Sequence, residues 1–394
     1  MLLFKLRTSA SFRCLAKQQE IRREHLGEKG MAPCNNSICN WLMKTGFHAL
    51  TSPKPWARDW VVILDTSIQM GQEKVLVILG IRQRDIDFSR PLVFTDLVPL
   101  AIVVRRSWTG ESVRDELEKL QLQIGKVSYA VADHGSELRK GLRLAGIRHL
   151  HDITHALALL VEKLYKEDQR YKAFCAKLSD MRARLSQSEA AHVAPPLQRK
   201  KSPYQNIRPL VEFACMCLDF LDSPEAASPE HSRAVEETGW MRGFKELLAE
   251  LKALSEAIDA MEKVLKHRGL SATTAKECQK ILSGFTEPRL VEFGHKFMAG
   301  LRESLALVTN HRRLLCTSDI IESIFAAYKN FVSNNKMAGV TKLVLAMAAM
   351  TCDLTEESTK ECMEKVTVKQ VREWGEEFVG QTLYQKRRQM KKAA

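Results

Sequence analysis

Residues 60–65 read Trp60-Val-Val-Ile-Leu-Asp65, and residues 127–133 read Val127-Ser-Tyr-Ala-Val-Ala-Asp133. Each is a short apolar run closed by a carboxylate. Runs of this length, rich in β-branched residues, read as strands buried in a sheet. Working outward from the first, Lys74-Val-Leu-Val-Ile-Leu-Gly-Ile81 follows a turn at Met70-Gly71, and a third apolar run spans Leu97–Val104. Thr109-Gly-Glu-Ser112 then opens a helix to about Gln123, with Val113, Leu117, Leu120 and Ile124 at helical spacing. After Asp133 come a helix over Ser136–Leu144 and a fifth strand near Ile147–Leu150.

The order is three strands, helix, strand, helix, strand. Hairpin-linked strands followed by alternating helices and strands make an α/β mixed sheet with flanking helices, the topology of the ribonuclease-H-like fold. On this reading residues 56–160 are the first part of a catalytic core and 161–305 an all-helical insertion. Helices such as Ala156–Lys166, Asn206–Asp222, Met241–His267 and Thr274–Ser283 fill the region, with loops at 186–204 and Ser223–Arg233. Residues 306–350 return to the core. Residues 351–394 are a helical tail ending in Gln385-Lys-Arg-Arg-Gln-Met-Lys-Lys392, which reads as a solvated, frayed end or as a clamp on a DNA backbone. At the other end, residues 1–55 resolve into a helix over Gln18–Leu26 and a second that is capped by Asn35 or Asn36 and ended by Gly46. Ile38, Trp41 and Leu42 form its apolar face. This is a helix-turn-helix-like DNA-binding segment, or equally a pair of packing helices.

Bulk properties restrict the partners. Sixty Lys and Arg against 47 Asp and Glu leave a formal charge of +13, a balance that attracts polyanions, nucleic acid first among them. The ten cysteines include no C-x-x-C pair, so a zinc finger has no support and reduced thiols are expected. The first residues lack a signal-peptide core, and no apolar run approaches the roughly 20 residues that span a bilayer. The expectation is a soluble, cytoplasmic protein with no membrane partner. No G-x-G-x-x-G, P-loop or nucleophile elbow is present, which argues against a small-molecule enzyme.

Two-metal phosphoryl transfer needs carboxylates that converge, from rigid elements, on two cations about 4 Å apart. Asp65 and Asp133 close two strands that the inferred sheet order makes neighbours. A third acid, Glu322, lies in Thr317-Ser-Asp-Ile-Ile-Glu-Ser-Ile-Phe-Ala-Ala-Tyr-Lys329. Ser318 or Asp319 can cap that helix, and Ile321, Ile324, Phe325 and Tyr328 give it a packing face. Lys329 follows Glu322 by two turns and points the same way. Alone, the segment is also an ordinary amphipathic helix.

Taken together, Val61-Val-Ile-Leu-Asp65, Ala130-Val-Ala-Asp133-His-Gly-Ser-Glu-Leu-Arg-Lys-Gly141 and Ser318-Asp-Ile-Ile-Glu322-Ser-Ile-Phe-Ala-Ala-Tyr-Lys329 resemble the DDE transposases of bacterial insertion sequences. The likeness covers roughly residues 56–350, and it is to those members with a long helical insertion before the final Glu. It implies Asp65, Asp133 and Glu322 as catalytic acids and metal ligands, two Mg²⁺ with Mn²⁺ as a substitute, and Lys329 in support. It also implies cleavage of double-stranded DNA at inverted-repeat ends, strand transfer into target DNA, a homodimer on DNA, and a place at the bacterial nucleoid. One departure stands out. Where some relatives carry an Arg four residues before the Glu and a Tyr three before that, this chain has Ser318 and Leu315, leaving Arg312 or Arg313 as substitutes.

By the same resemblance His155 is a near-site group, with Asp152 beside it in Leu150-His-Asp-Ile-Thr-His155; Asp152 also reads as a plain helix cap. His151 and His155 lack a third partner for zinc. Trp240 is either a base-stacking residue for DNA or a core tryptophan. Asp85, Asp87 and Asp96 fall in turns or mid-sheet, away from the cleft. Two rivals remain: a ribonuclease-H-like nuclease without joining activity, and a non-catalytic or truncated transposase-derived DNA-binding protein.

Overall fold

A side-chain period of two builds the sheet of the first unit, and a period of 3.6 builds the helices on it. The computed structural model describes residues 1–8, 10–70, 73–198, 204, 207–309, 311–332 and 339–393. Gly71 of the expected turn and part of the expected loop at 186–204 lie outside them. The described chain divides into two compact units, Met1–Leu150 with Thr317–Ala394, and His151–Cys316.

The first unit opens with α1 (Leu2–Arg7), α2 (Phe12–Leu26) and α3 (Asn35–Thr51). The sheet follows: β1 (Ala57–Met70), β2 (Glu73–Arg82), β3 (Val98–Arg105), then α4 (Gly110–Ile124), β4 (Gly125–Ala132), α5 (Ser136–Leu144) and β5 (His149–His151). Spatial order is β3-β2-β1-β4-β5. The hairpins β1–β2 and β2–β3 are antiparallel, and β4 lies parallel to β1. The ribonuclease-H-like order of strands and helices read from the sequence is the order found.

Each strand has two faces. Trp60, Val62, Leu64, Leu76, Ile78, Ala130 and Ala132 bury one face against Val113, Leu117 and Leu120 of α4 and Leu138 and Leu142 of α5. Burying one such aliphatic side chain contributes about 1.5–3 kcal/mol. That layer is why the apolar runs are near-continuous rather than alternating: the opposite face is covered too.

The second unit is helical: α6 (Ile153–Tyr165), α7 (Gln169–Leu185), α8 (Arg208–Leu221), α9 (Ser232–Thr238), α10 (Lys245–Arg268), α11 (Ala272–Leu282) and α12 (Pro288–Leu307). The helix expected from Met241 begins as a 3-10 segment, Gly239–Phe244, and becomes α-helical only at Lys245. The chain then returns to the first unit with α13 (Asp319–Val332), α14 (Ala346–Met350), α15 (Glu356–Lys365), α16 (Val368–Phe378) and α17 (Leu383–Ala393). Among the described residues no helix is long and apolar enough to cross a membrane, and the ten cysteines are free thiols.

Three boundaries differ from expectation for identifiable reasons. The α2 helix starts at Phe12, six residues before Gln18, because the Ser11 hydroxyl accepts from Cys14 N–H and caps it. The α3 helix runs five residues beyond Gly46, which is a packing residue and not a stop. A Cβ there would lie 1.9 Å from the Leu345 carbonyl oxygen, so the missing side chain lets the helix backbone touch the 3-10 turn Lys342–Leu345. Gly46→Ala is accordingly expected to cost about 2–3 kcal/mol, since overpacking a rigid contact outweighs the ~1 kcal/mol that Ala gains in helix propensity. Denaturant titration beside Gly300→Ala measures this. Gly300 lies in α12, where an added Cβ would meet nothing within 4 Å, and that variant should gain about 0.5–1 kcal/mol. Equal effects at the two sites would refute the contact. The third boundary concerns Asp65 and belongs to the site.

Candidate active site

The parallel register of β1 and β4 brings two of the expected acids together. Val61 pairs with Tyr129, Val62 with Ala130 and Ile63 with Val131. Two residues further along each strand stand Asp65 and Asp133, at one level of the sheet. Adjacent strands lie about 4.8 Å apart, so level side chains of equal parity are neighbours. Both acids also share the face opposite α4 and α5, because Leu64 and Ala132 point into that layer.

Asp65 does not end its strand. β1 continues to Met70, paired with β2, and the register slips between Asp65 and Ile68. Asp65 is therefore the last residue before a β-bulge, a device that re-aims side chains at functional sites. It is 8% exposed. Its neighbour Thr66 donates to Glu137 Oε1 at 3.3 Å, tying this corner of β1 to the start of α5.

Asp133 follows β4 directly. The Gly135 N–H donates to its Oδ1 at 2.8 Å, and a Cβ on Gly135 would sit 2.9 Å from that same oxygen. The Asp-His-Gly turn thus holds the carboxylate by its backbone, and a Cβ at Gly135 would press on the carboxylate where it now stands. One strand over, His149 Nε2 lies 3.3 Å from the Ala132 carbonyl; a carbonyl only accepts, so the proton is on Nε2.

Burial pushes His149 down to about 4, assisted by the nearby His134 and Arg139, although the bond to Ala132 opposes the shift. The folded state thus holds a neutral imidazole that the unfolded chain would protonate near 6.5. Stability from this group is complete above about pH 6.5 and is lost as pH falls toward 4, by up to about 3 kcal/mol. Unfolding free energies of wild type and His149→Gln across pH 4–7 should show the acid decline flattened in the variant. Parallel curves would rule the effect out.

Glu322 lies in the first turn of α13, with Asp319 N–H held by the Thr317 hydroxyl at 3.2 Å. Ile321, Ile324, Phe325 and Tyr328 are buried, and α13 packs against β1 and α14. Glu322 and Lys329 are both exposed. The donor chemistry fits a hard divalent cation: two carboxylates at one level, with a third on a helix that packs on the same strand. Among the described residues no group of three or more His, Cys, Asp and Glu closes around one point; what the register provides is that Asp65 and Asp133 stand level on neighbouring strands.

The remaining candidates belong to the second unit. Asp152, fully buried, caps α6 by accepting from His155 N–H at 2.8 Å, and the same oxygen lies 3.1 Å from His155 Nδ1. One carboxylate thus caps the helix and orients the imidazole. Trp240 packs in an aromatic cluster with Phe174 and Phe244, with Lys177 over its ring. Arg312 and Arg313 are exposed on the segment before the Leu270–Leu314 bridge. In the first unit, Asp87 and Asp96 both bind Arg90, while Asp85 pairs with Arg84. Sequence reasoning missed Gly135, although a glycine two residues after a strand-end acid is a readable turn signal.

No family model matches the chain, and no curated protein matches it. Among solved structures, the Drosophila P element transposase strand transfer complex aligns over 88% of this chain and 91% of that one, at 11% identity and a TM-score of 0.43. A cavity of about 710 Å³ lies elsewhere, along β3 at the edge of the sheet.

Proposed function

We propose that this chain is a DDE-type DNA transposase, in which Asp65, Asp133 and Glu322 carry metal-dependent phosphodiester chemistry on DNA. The observation supporting this reading is the level pair Asp65–Asp133, on neighbouring parallel strands and one face of a ribonuclease-H-like sheet. Level carboxylates on neighbouring strands are the kind of donor set that two-metal phosphoryl transfer uses.

Asp65, Asp133 and Glu322 would hold Mg²⁺, with Mn²⁺ as a substitute. When bound, such ions supply an activated oxygen nucleophile and neutralise charge on the leaving oxygen. The chain's own residues do the positioning. The Gly135 N–H fixes the Asp133 carboxylate, and the bulge after Asp65 orients the second. Lys329, two turns beyond Glu322, offers a cation to a phosphate on the side where the acid stands. The excess of +13 draws double-stranded DNA toward the protein. Inverted-repeat ends and target DNA would be the substrates. Pairing two ends calls for a homodimer.

The test is purified protein with Mg²⁺ and labelled duplex carrying the inverted repeats that flank its gene. Nicking at the repeat boundary followed by joining to target DNA supports transposition. Cutting without joining would make the protein a nuclease, and binding without cutting a DNA-binding relic.

A further inference from the structure

The basic C-terminal run is a helix with a built start. Thr382 and Gln385 cap α17 reciprocally: Gln385 N–H donates to the Thr382 hydroxyl at 3.3 Å, and Thr382 N–H donates to Gln385 Oε1 at 2.8 Å. The 11-residue helix contains no acid. From Gln385 to Lys391 every residue is exposed. Among the described residues no carboxylate pairs with Lys386, Arg387, Arg388 or Lys391.

Such a helix is unfavourable on its own. Arg387 and Arg388 stand one turn before Lys391, and like charges at that spacing destabilise a helix. Helices shorter than about 12–15 residues are marginal in water even with good sequences. A polyanion laid along α17 removes the repulsion and supplies the stabilisation that α17 lacks alone. The anion's source can also be argued. A membrane-surface helix needs an apolar face; the 11 residues of α17 hold Leu383, Tyr384, Met390 and Ala393 against five Lys and Arg, and Met390 is 73% exposed. A backbone-tracking helix needs cations and no apolar face at all.

We propose that α17 is a phosphate-backbone binding element for duplex DNA, engaging it without sequence preference; the choice of DNA rests on the function proposed above. It is separate from the acids and should work when they are disabled.

The test uses the full chain and the quadruple variant Lys386→Gln, Arg387→Gln, Arg388→Gln, Lys391→Gln, whose substitutions fall only on exposed positions. Binding to a 30-base-pair duplex of random sequence is followed by anisotropy at rising KCl. The expected result is a slope of log affinity against log salt that is shallower by about 3–4 in the variant, roughly 0.9 for each phosphate that is no longer neutralised. Affinity near 0.1 M salt should fall at least about tenfold. Unchanged slope and affinity, with wild type still binding, overturn the role of α17 and leave the DNA reading standing. Wild type that ignores duplex but binds phosphatidylserine vesicles through the tail overturns the choice of DNA. Wild type that binds neither overturns both readings.

Discussion

Asp133→Asn is expected to lower DNA cleavage by at least about 10³-fold, the equivalent of about 4 kcal/mol of transition-state stabilisation, while the protein stays folded. The substitution is chosen for what it keeps. Asn retains an oxygen to accept the Gly135 N–H, now bonded at 2.8 Å, so the turn after β4 is undisturbed. It loses only the charge. In the fold that charge stands level with Asp65, which is 8% exposed. Since the turn's hydrogen bond is kept, the variant should melt close to the wild-type temperature without divalent ions. Mg²⁺ gives the independent readout: ligands that bind only the native state raise its melting temperature. Wild type should show such a rise and Asp133→Asn should lose most of it. A variant that cleaves at wild-type rate would remove Asp133 from the mechanism. A variant that loses cleavage and also unfolds would show a structural role instead.

The second large effect is on stability, in the helical unit. Arg289 reaches from α12 to Glu250 on α10 with two nitrogens, Nη2 at 2.5 Å from Oε2, and to Asp168 at the start of α7 through Nη1 at 2.6 Å. Tyr165 of α6 donates to Glu250 at 2.5 Å, and the guanidinium lies over its ring, 4.6 Å from the centroid. Four helices meet at one cation. The Glu250 and Asp168 side chains are each 11% exposed, so removing the cation leaves Glu250 with the Tyr165 hydroxyl alone and Asp168 with the cap N–H groups and the more distant Arg170, in a poorly solvated place. Breaking a buried pair in this way costs about 3–5 kcal/mol. Arg289→Met, which keeps most of the stem, should lose that amount in denaturant unfolding. Arg289→Lys should recover only part, because an ammonium cannot make the forked pairing. A decrease below about 1 kcal/mol would place the network with ordinary surface ion pairs.

Much of this molecule is legible in its residues because local chemistry agrees with the global fold. The five strands fall where short apolar runs stand, and Ser136–Leu144 is helical over the very residues read as helix. Burial on both faces makes the runs continuous, and turn formers punctuate them. Of the site, Asp65 and Asp133 are visible as acids closing such runs, and Asp152 as a cap. Context is what misleads. Gly46 looks like a helix stop, since glycine is the commonest one, but its role is set by Leu345, nearly 300 residues away. The C-terminal run is solvated, as its charge suggests, and Thr382-x-x-Gln385 is a capping box that starts its helix.

By itself the sequence determined the element order and the faces to be buried, and it marked Asp65 and Asp133 as candidate acids, since these follow from side-chain period and hydrophobicity within short windows. Only the tertiary structure decided that β1 continues past Asp65 through a bulge, that the register of β1 and β4 sets Asp65 level with Asp133, and that Arg289 joins four helices. The physical reason is common to all three. Register and long-range ion pairing depend on which segments meet in space, and a one-residue slip along a strand would send either acid to the opposite face.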